Sequence, residues 1–245
     1  MPDSQDALVH IEAAGTTFRA VLSNGSVKEG RELAGAVLIF QLNGQPIRIR
    51  IASITSDPLD TTGAVLLHDF RIDNTGEPLC NAAPDGTRLG FPLAGRSAEG
   101  VLVESDPGVF ELICTAGAQG KCVRFGYHPW EQTAEGPLMR DYYNACVRLV
   151  RADYCGDGRA WTRNGTSIDL WDDLNIQRAE TGNGSAFSFE AGWSKDGAVC
   201  VARTRIPENI TMTELKASCP QLAITPVCTE GSARGHGALL YNSSR

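Results

Sequence analysis

At 245 residues the chain is long enough to bury a core without help from a metal, so size alone does not require its cysteines to act as staples. Hydrophobic residues make up 42% and charged residues 21%, close to ordinary globular usage and away from both disordered and membrane compositions. The net charge of -7 is spread along the sequence with no Lys/Arg-rich run, which argues against nucleic acid or an anionic membrane surface as partner.

From Thr16 to about Arg71 the pattern is β. In Ile47-Arg48-Ile49-Arg50-Ile51 apolar and charged residues alternate with period two, as in a strand with one wet face. Ala36-Val37-Leu38-Ile39-Phe40 precedes it, and Asn43-Gly44 between them predicts a hairpin turn. Val65-Leu66-Leu67 continues the sheet, and the Gly/Pro/Asp-rich stretch 81–100 reads as loop, a place for a domain boundary. A second hairpin is predicted where Phe110-Glu111-Leu112-Ile113-Cys114 and Cys122-Val123-Arg124-Phe125 flank a small-residue loop.

One long helix is predicted over 138–154, with Tyr142, Tyr143, Cys146, Leu149 and Val150 at helical spacing and Gly156 as the stop. A third hairpin follows, Phe187 to Ala191 against Val199-Cys200-Val201, turning at Lys195-Asp196-Gly197. A short C-terminal helix begins near Thr211 or Thr213 and ends at Cys219-Pro220, because proline cannot continue it. The expected fold is α+β, predominantly antiparallel β-sheet with one long and one short helix and held by disulfides. A β-rich region over 8–100 is expected to pack on an α+β region over 101–245, with one continuous domain as the alternative.

Eight cysteines, Cys80, Cys114, Cys122, Cys146, Cys155, Cys200, Cys219 and Cys228, include no C-x-x-C pair, which points to a disulfide framework and an oxidising compartment over a zinc or thioredoxin-like site. Cys114–Cys122 across the predicted hairpin is the first pairing expected, with Cys219–Cys228 next. Nine helical positions separate Cys146 from Cys155, too far for a bond, so one is expected to meet Cys80 and the other Cys200. The polar opening Met1-Pro2-Asp3-Ser4 has no signal-peptide core, and the expectation is a trimmed leader with Met1 an added start. No uninterrupted apolar run reaches the roughly 18 residues that a membrane span requires.

At the end of the long helix stands Arg151-Ala152-Asp153-Tyr154-Cys155-Gly156-Asp157-Gly158. Upstream are Cys114-Thr115-Ala116-Gly117-Ala118, Lys121-Cys122 and Gly126-Tyr127-His128-Pro129-Trp130; downstream are Thr162, Asn164-Gly165-Thr166, Ile168-Asp169 and Gly197-Ala198-Val199-Cys200. This ordered set, spanning roughly Cys80 to Cys219, resembles the ADYC-domain family. The resemblance implies a bacterial, exported protein with a signal peptide or lipoprotein leader, and it implies no particular activity. At His128 a lysine often stands in the family's pattern, so the resemblance assigns this histidine no role.

No G-x-S-x-G, H-E-x-x-H, Walker A or G-x-G-x-x-G motif occurs, and Gly117-Ala118-Gln119-Gly120-Lys121 lacks the spacing and hydroxyl of a phosphate loop. Cys155 is a candidate nucleophile with His128 or His236 as base, but the predicted helix C-terminus disfavours its thiolate and a structural disulfide is the expectation. Asp153, Asp157, Asp169, Asp172 and Asp173 offer oxygens suited to Ca²⁺, but their order is not that of an EF-hand, and pairing with Arg148, Arg151, Arg159 or Arg163 or turn capping is the preferred reading, with no metal or cofactor expected. Trp130, Trp161, Trp171 and Trp193 lie among Asp and Asn, so the binding candidates are Trp130, Trp161, Trp171, Asp157 and Asp169, as a sugar platform or as core packing. Asn24, Asn164, Asn183, Asn209 and Asn242 begin N-x-S/T triplets, three of them Asn-Gly, which read as turn chemistry. The expected function is a secreted or cell-envelope binding or structural module for extracellular glycan or protein. The alternative is an extracellular hydrolase using Asp157 and Asp169 or a Cys-His pair.

Overall fold

The computed structural model describes residues 7–42, 44–134, 136–180, 186–223 and 227–245. The chain forms two compact units: the part up to Ser97 with Val103–Arg124, and Ala98–Leu102 with Phe125–Arg245. The chain passes between the units after Ser97, after Leu102 and after Arg124, and the strand at 110–114 pairs back into the first unit's sheet.

The first unit opens with β1 (Leu8–Ala14), β2 (Thr17–Leu22) and β3 (Val27–Glu29), a three-stranded antiparallel sheet. Period two places Phe18 and Ala20 on the buried face of β2, while Arg19 on the outer face donates to Glu12 of β1 at 3.1 Å. A 3-10 turn over Gly30–Leu33 leads to β4 (Val37–Leu42) and β5 (Gln45–Ser56). Their hairpin is as predicted, with Gly44 at φ 76; its neighbour Asn43 lies outside the described residues. Ile49 and Ile51 are buried and Arg48 and Arg50 exposed, and both arginines reach Asp73.

Next come β6 (Leu66–Ile72) and β7 (Gly90–Ala94), completing a five-stranded antiparallel sheet in the order β10-β7-β6-β5-β4 with β10 (Phe110–Cys114). Strand β7 corrects the loop reading of 81–100. Its Gly-Phe-Pro-Leu-Ala sequence lacks alternation because both faces are buried. Pro92 is tolerated since β7 touches β6 only at the pair His68↔Gly90 and runs its length against β10 alone. Between them, β8 (Arg96–Ala98) and β9 (Val101–Glu104) form a two-stranded ribbon, in which the chain enters the second unit and returns.

The second predicted hairpin is also corrected. Residues after β10 form α1 (Ala118–Arg124) instead of a returning strand. Gly120 rests so close to the carbonyl of Cys114 and Cα of Thr115 that a side chain there has no room, and Arg124 makes a two-pronged bond to the buried carboxylate of Asp57, at 2.6 and 3.1 Å. With no strand at 122–125, the Cys114–Cys122 pairing fails. Cys114 bonds Cys80 instead, with Cα atoms 5.4 Å apart. Gly90 lies beside this bridge, where a Cβ would approach Cys80 Sγ to 3.1 Å and collide with the carbonyl of Ile113.

The second unit is built on α2 (Met139–Arg151), which packs on a four-stranded antiparallel sheet. That sheet has the order β11-β14-β12-β13, formed by β11 (Ile168–Asp172), β12 (Ser188–Ser194), β13 (Gly197–Val201) and β14 (Leu240–Ser244). The β12–β13 hairpin and α3 (Met212–Ser218) follow the prediction; Thr211 caps α3 by accepting from Glu214 N–H, and Cys219 ends it. A further short helix, α4 (Glu230–Gly235), precedes β14. The tip of the β8–β9 ribbon is clamped to α2 by Asn144, whose amide donates to the Leu102 carbonyl and accepts from its N–H, both at 2.9 Å. The fold is therefore α+β, dominated by antiparallel sheet and disulfide-bonded, as expected.

His68 of β6 is fully buried in the first unit, stacked on Phe70 at 5.3 Å and edge-on to Phe18 at 6.0 Å. Burial holds its pKa down to about 4 from an ordinary 6.5, with only weak backbone help for the proton from Leu66 and Gly90. Between those values the unfolded chain binds a proton that the folded chain does not, so stability is intact above pH 6.5 and falls as pH drops toward 4, by about 3 kcal/mol in all. Urea unfolding across that range should show this loss in the native chain and its disappearance in His68→Leu. Identical pH dependence in the two proteins would contradict it.

Candidate functional site

The helix α2 ends three residues earlier than predicted, and the ending organises the signature. Ala152 takes the left-handed conformation at φ 52, and its N–H returns to the carbonyls of Arg148 and Leu149. Asp153, fully buried, accepts from Arg148 and from the N–H groups of Gly156 at 3.1 Å and Gly158 at 2.9 Å. Burial raises its carboxyl above the usual range, opposed by Arg148 and the Gly158 N–H. Arg148 also holds the Glu99 carbonyl at 3.0 Å, and Arg151 donates to the Gly158 carbonyl.

Tyr154 is fully buried and stacks on Trp193 at 5.3 Å. Its hydroxyl donates to Glu190 Oε1 at 3.0 Å and accepts from Arg205 N–H at 2.8 Å; burial, with the charge of Glu190, pushes its ionisation far above the ordinary range. Glu190 of β12 meets Arg205 in a two-pronged ion pair, both bonds 3.0 Å, and receives the Asn242 amide of β14 at 2.9 Å. Asn242 in turn accepts from the Trp193 indole at 2.8 Å. The remaining Arg205 donors reach the Leu149 and Val150 carbonyls at 2.8 and 3.2 Å, satisfying the last turn of α2.

Glycines close the corner. Gly156, at φ 74, faces the Asp196 carbonyl where a Cβ would overlap the oxygen, and a Cβ on Gly197 would fall 2.8 Å from the Tyr154 carbonyl. That carbonyl accepts from Ala198 N–H at 3.0 Å, joining the signature to the β12–β13 turn. Cys155 bonds Cys219, with Cα atoms 5.4 Å apart, and Cys200 bonds Cys228 at 5.5 Å. The expected Cys219–Cys228 pair and the Cys80 and Cys200 links to Cys146 and Cys155 are thereby corrected, whereas the expected absence of a Cys146–Cys155 bond holds. The positions of Cys200 within β13 and of Cys228 just before α4 depend on a sheet that only β14 completes, which pairwise spacing does not reveal. Cys122 and Cys146 are also disulfide-bonded, and none of the eight cysteines is free. Cys155 therefore carries no thiol to couple with His128 or His236.

The other candidates are engaged separately. His128 Nδ1 lies 2.7 Å from Glu131 and its ring stacks on Trp130 at 5.0 Å; His236 Nδ1 meets the Ser232 carbonyl at 2.6 Å. Asp157 accepts from Arg159 N–H at 3.0 Å and Asp169 from Glu180 N–H at 3.2 Å. Asp172 receives the Tyr127 hydroxyl at 2.7 Å and the N–H groups of Leu174, Ile176 and Gln177, while Asp173 pairs with Arg234. No group of three or more metal-ligating side chains occurs among the described residues. Trp171 packs with Phe189 and Tyr241, and Trp161 lies under the Arg159 guanidinium. Among the described residues no ring contact joins Trp130, Trp161 and Trp171 to one another. Asn24 and Asn164 precede glycines of positive φ in turns, Asn242 is buried in the network, and Asn183 lies outside the described residues.

An open site lies in the first unit. Between β1–β3 and the β4–β5 hairpin lies a cavity of about 750 Å³, lined chiefly by Phe18, Ala20, Leu22, Ala36, Leu38 and Ile51. Asn24, Ser26, Lys28 and Glu32 are its polar residues. Sequence reading missed it because the lining comes from two sheets whose facing is not encoded locally.

These features define an antiparallel α+β chain whose signature residues form a buried, disulfide-fixed corner. The ADYC domain matches residues 30–207, well over half of the chain, and the chain belongs to the ADYC-domain family. No curated protein and no solved structure matches it.

If the corner is structural, Arg205→Met should cost about 3–5 kcal/mol by stranding the Glu190 carboxylate, and Gly156→Ala should destabilise the chain as well. Arg163→Ala, at an exposed contact with Glu208, should leave the urea midpoint unchanged. A folded Arg205→Met of native stability would refute the assignment.

Proposed function

We propose that the chain is a bacterial secreted or cell-envelope binding module, with the cavity of the first unit as its ligand site. The observation that carries this reading is the contrast between the two units. The polar groups of the signature bond one another inside the protein, whereas the apolar cavity has the volume and lining typical of small-molecule sites, about 300–1,000 Å³ with few polar groups. Complete cysteine pairing and the absence of any helix long and apolar enough to cross a membrane among the described residues agree with an exported location, as does membership of the family. A recessed apolar site is favoured over a glycan platform because Trp130, Trp161 and Trp171 each have separate packing partners.

The test uses Nile red, a neutral apolar dye whose emission rises in a dry site. The oxidised full chain should bind it saturably with one site per molecule. Ala36→Phe, which fills the cavity, should weaken binding by about tenfold or more, equivalent to about 1.4 kcal/mol. Leu22→Trp provides a second filling variant should Ala36→Phe lose its cooperative thermal transition. Non-saturating binding, or binding that both folded variants retain, would sink the proposal.

A further inference from the structure

The cavity has a charged end. Lys28 of β3 is the register partner of Ala20 on β2, so by the alternation of an antiparallel sheet its side chain belongs to the same face as Ala20 and Phe18, the face that lines the cavity. Its neighbours Val27 and Glu29 point the other way. Lys28 is the cavity's cation and makes no ion pair among the described residues. Glu32, the acidic residue of the lining, is occupied: it accepts the Glu29 N–H at the start of the 3-10 turn. Asn24 likewise turns its side-chain oxygen to Ser26 N–H at 2.8 Å. The site therefore offers apolar walls, a lysine that makes no ion pair among the described residues, and a carboxylate whose position is fixed by the backbone of the 3-10 turn.

We propose that this cavity takes a single-chain amphiphile with an anionic head, a long-chain carboxylate, its chain lying along Leu8, Ile11, Leu22 and Leu38 and its head meeting Lys28. The inference rests on the binding-module reading and adds the ligand's charge to it. Apolar area removed from water supplies most of the affinity, at about 25 cal/mol per Å², and the exposed lysine at the rim supplies selectivity of head group. An inward charge on an edge strand also guards against edge-to-edge pairing, a role that any charged residue at position 28 fulfils. The ligand role requires a positive one.

The experiment is displacement of Nile red, with isothermal titration as a direct readout, comparing dodecanoate with dodecanol at pH 8. Dodecanoate should bind about fivefold more tightly than the neutral alcohol, a preference equivalent to about 1 kcal/mol that weakens with added salt. Lys28→Arg should keep the preference. Lys28→Glu should reverse it. Equal binding of acid and alcohol by the native chain, or a preference indifferent to Lys28→Glu, overturns the anionic-ligand inference and leaves the cavity as a binding site. Failure of Nile red itself to bind overturns the binding-module reading and this inference with it.

Discussion

The Glu190–Arg205 ion pair is the contact on which the second unit depends. Neither residue is exposed beyond 2%, and removing two opposite charges from water is costly unless every remaining donor and acceptor is met. Here they are met by four separate pieces of chain: the last carbonyls of α2, the Tyr154 hydroxyl, the Asn242 amide of β14 and the pair itself across β12 and residue 205. One solvated ion pair would contribute little. This one, hydrogen-bonded on every side, fixes helix, sheet and signature in a single register, because any displacement leaves a charge unpaired in a dry interior.

The signature takes its form from that constraint. Alanine at 152 adopts a left-handed cap, aspartate at 153 gathers an arginine and two backbone N–H groups, tyrosine at 154 bridges the ion pair, and cysteine at 155 is tied to Cys219. Each residue has a packing reason, and none presents a reactive group to solvent. A motif that names a family is often taken to mark its chemistry; in this chain it marks a corner. The proposed ligand site lies elsewhere, beside strands β1–β3, which precede the matched residues 30–207.

Much of the fold was legible because it rests on local periodicity. Alternation at 47–51 gave β5, Thr211 with Glu214 gave α3, and Lys195-Asp196-Gly197 gave the β12–β13 turn. Elements whose character is set by distant partners were not legible. Strand β7 is buried on both faces and shows no alternation, and residues 118–124 coil because Gly120 fits against Cys114 rather than from strong helical propensity. Glu190, Arg205 and Asn242 missed notice for the same reason: fifteen and more positions apart, they bear no spacing signal until the sheet order β11-β14-β12-β13 brings them together. The cavity needed the facing of two sheets, and the candidate tryptophans and aspartates each had a local partner that sequence order does not specify.

The connectivity of two bridges bears on how the chain matures. Cys155 joins Cys219 across 64 residues and Cys200 joins Cys228 across 28, so the two loops interlock: the second begins inside the first and ends outside it. Oxidation in order of emergence would join Cys155 to Cys200, the next of these four to appear, and trap the β12–β13 hairpin away from its partners. In the native arrangement β13 belongs to a sheet whose inner strand β14 comes last in chain order among the described strands. Efficient maturation therefore calls for thiol–disulfide exchange, in which an early mismatched bridge is reopened by a second thiol and resolved once the C-terminal strand has docked.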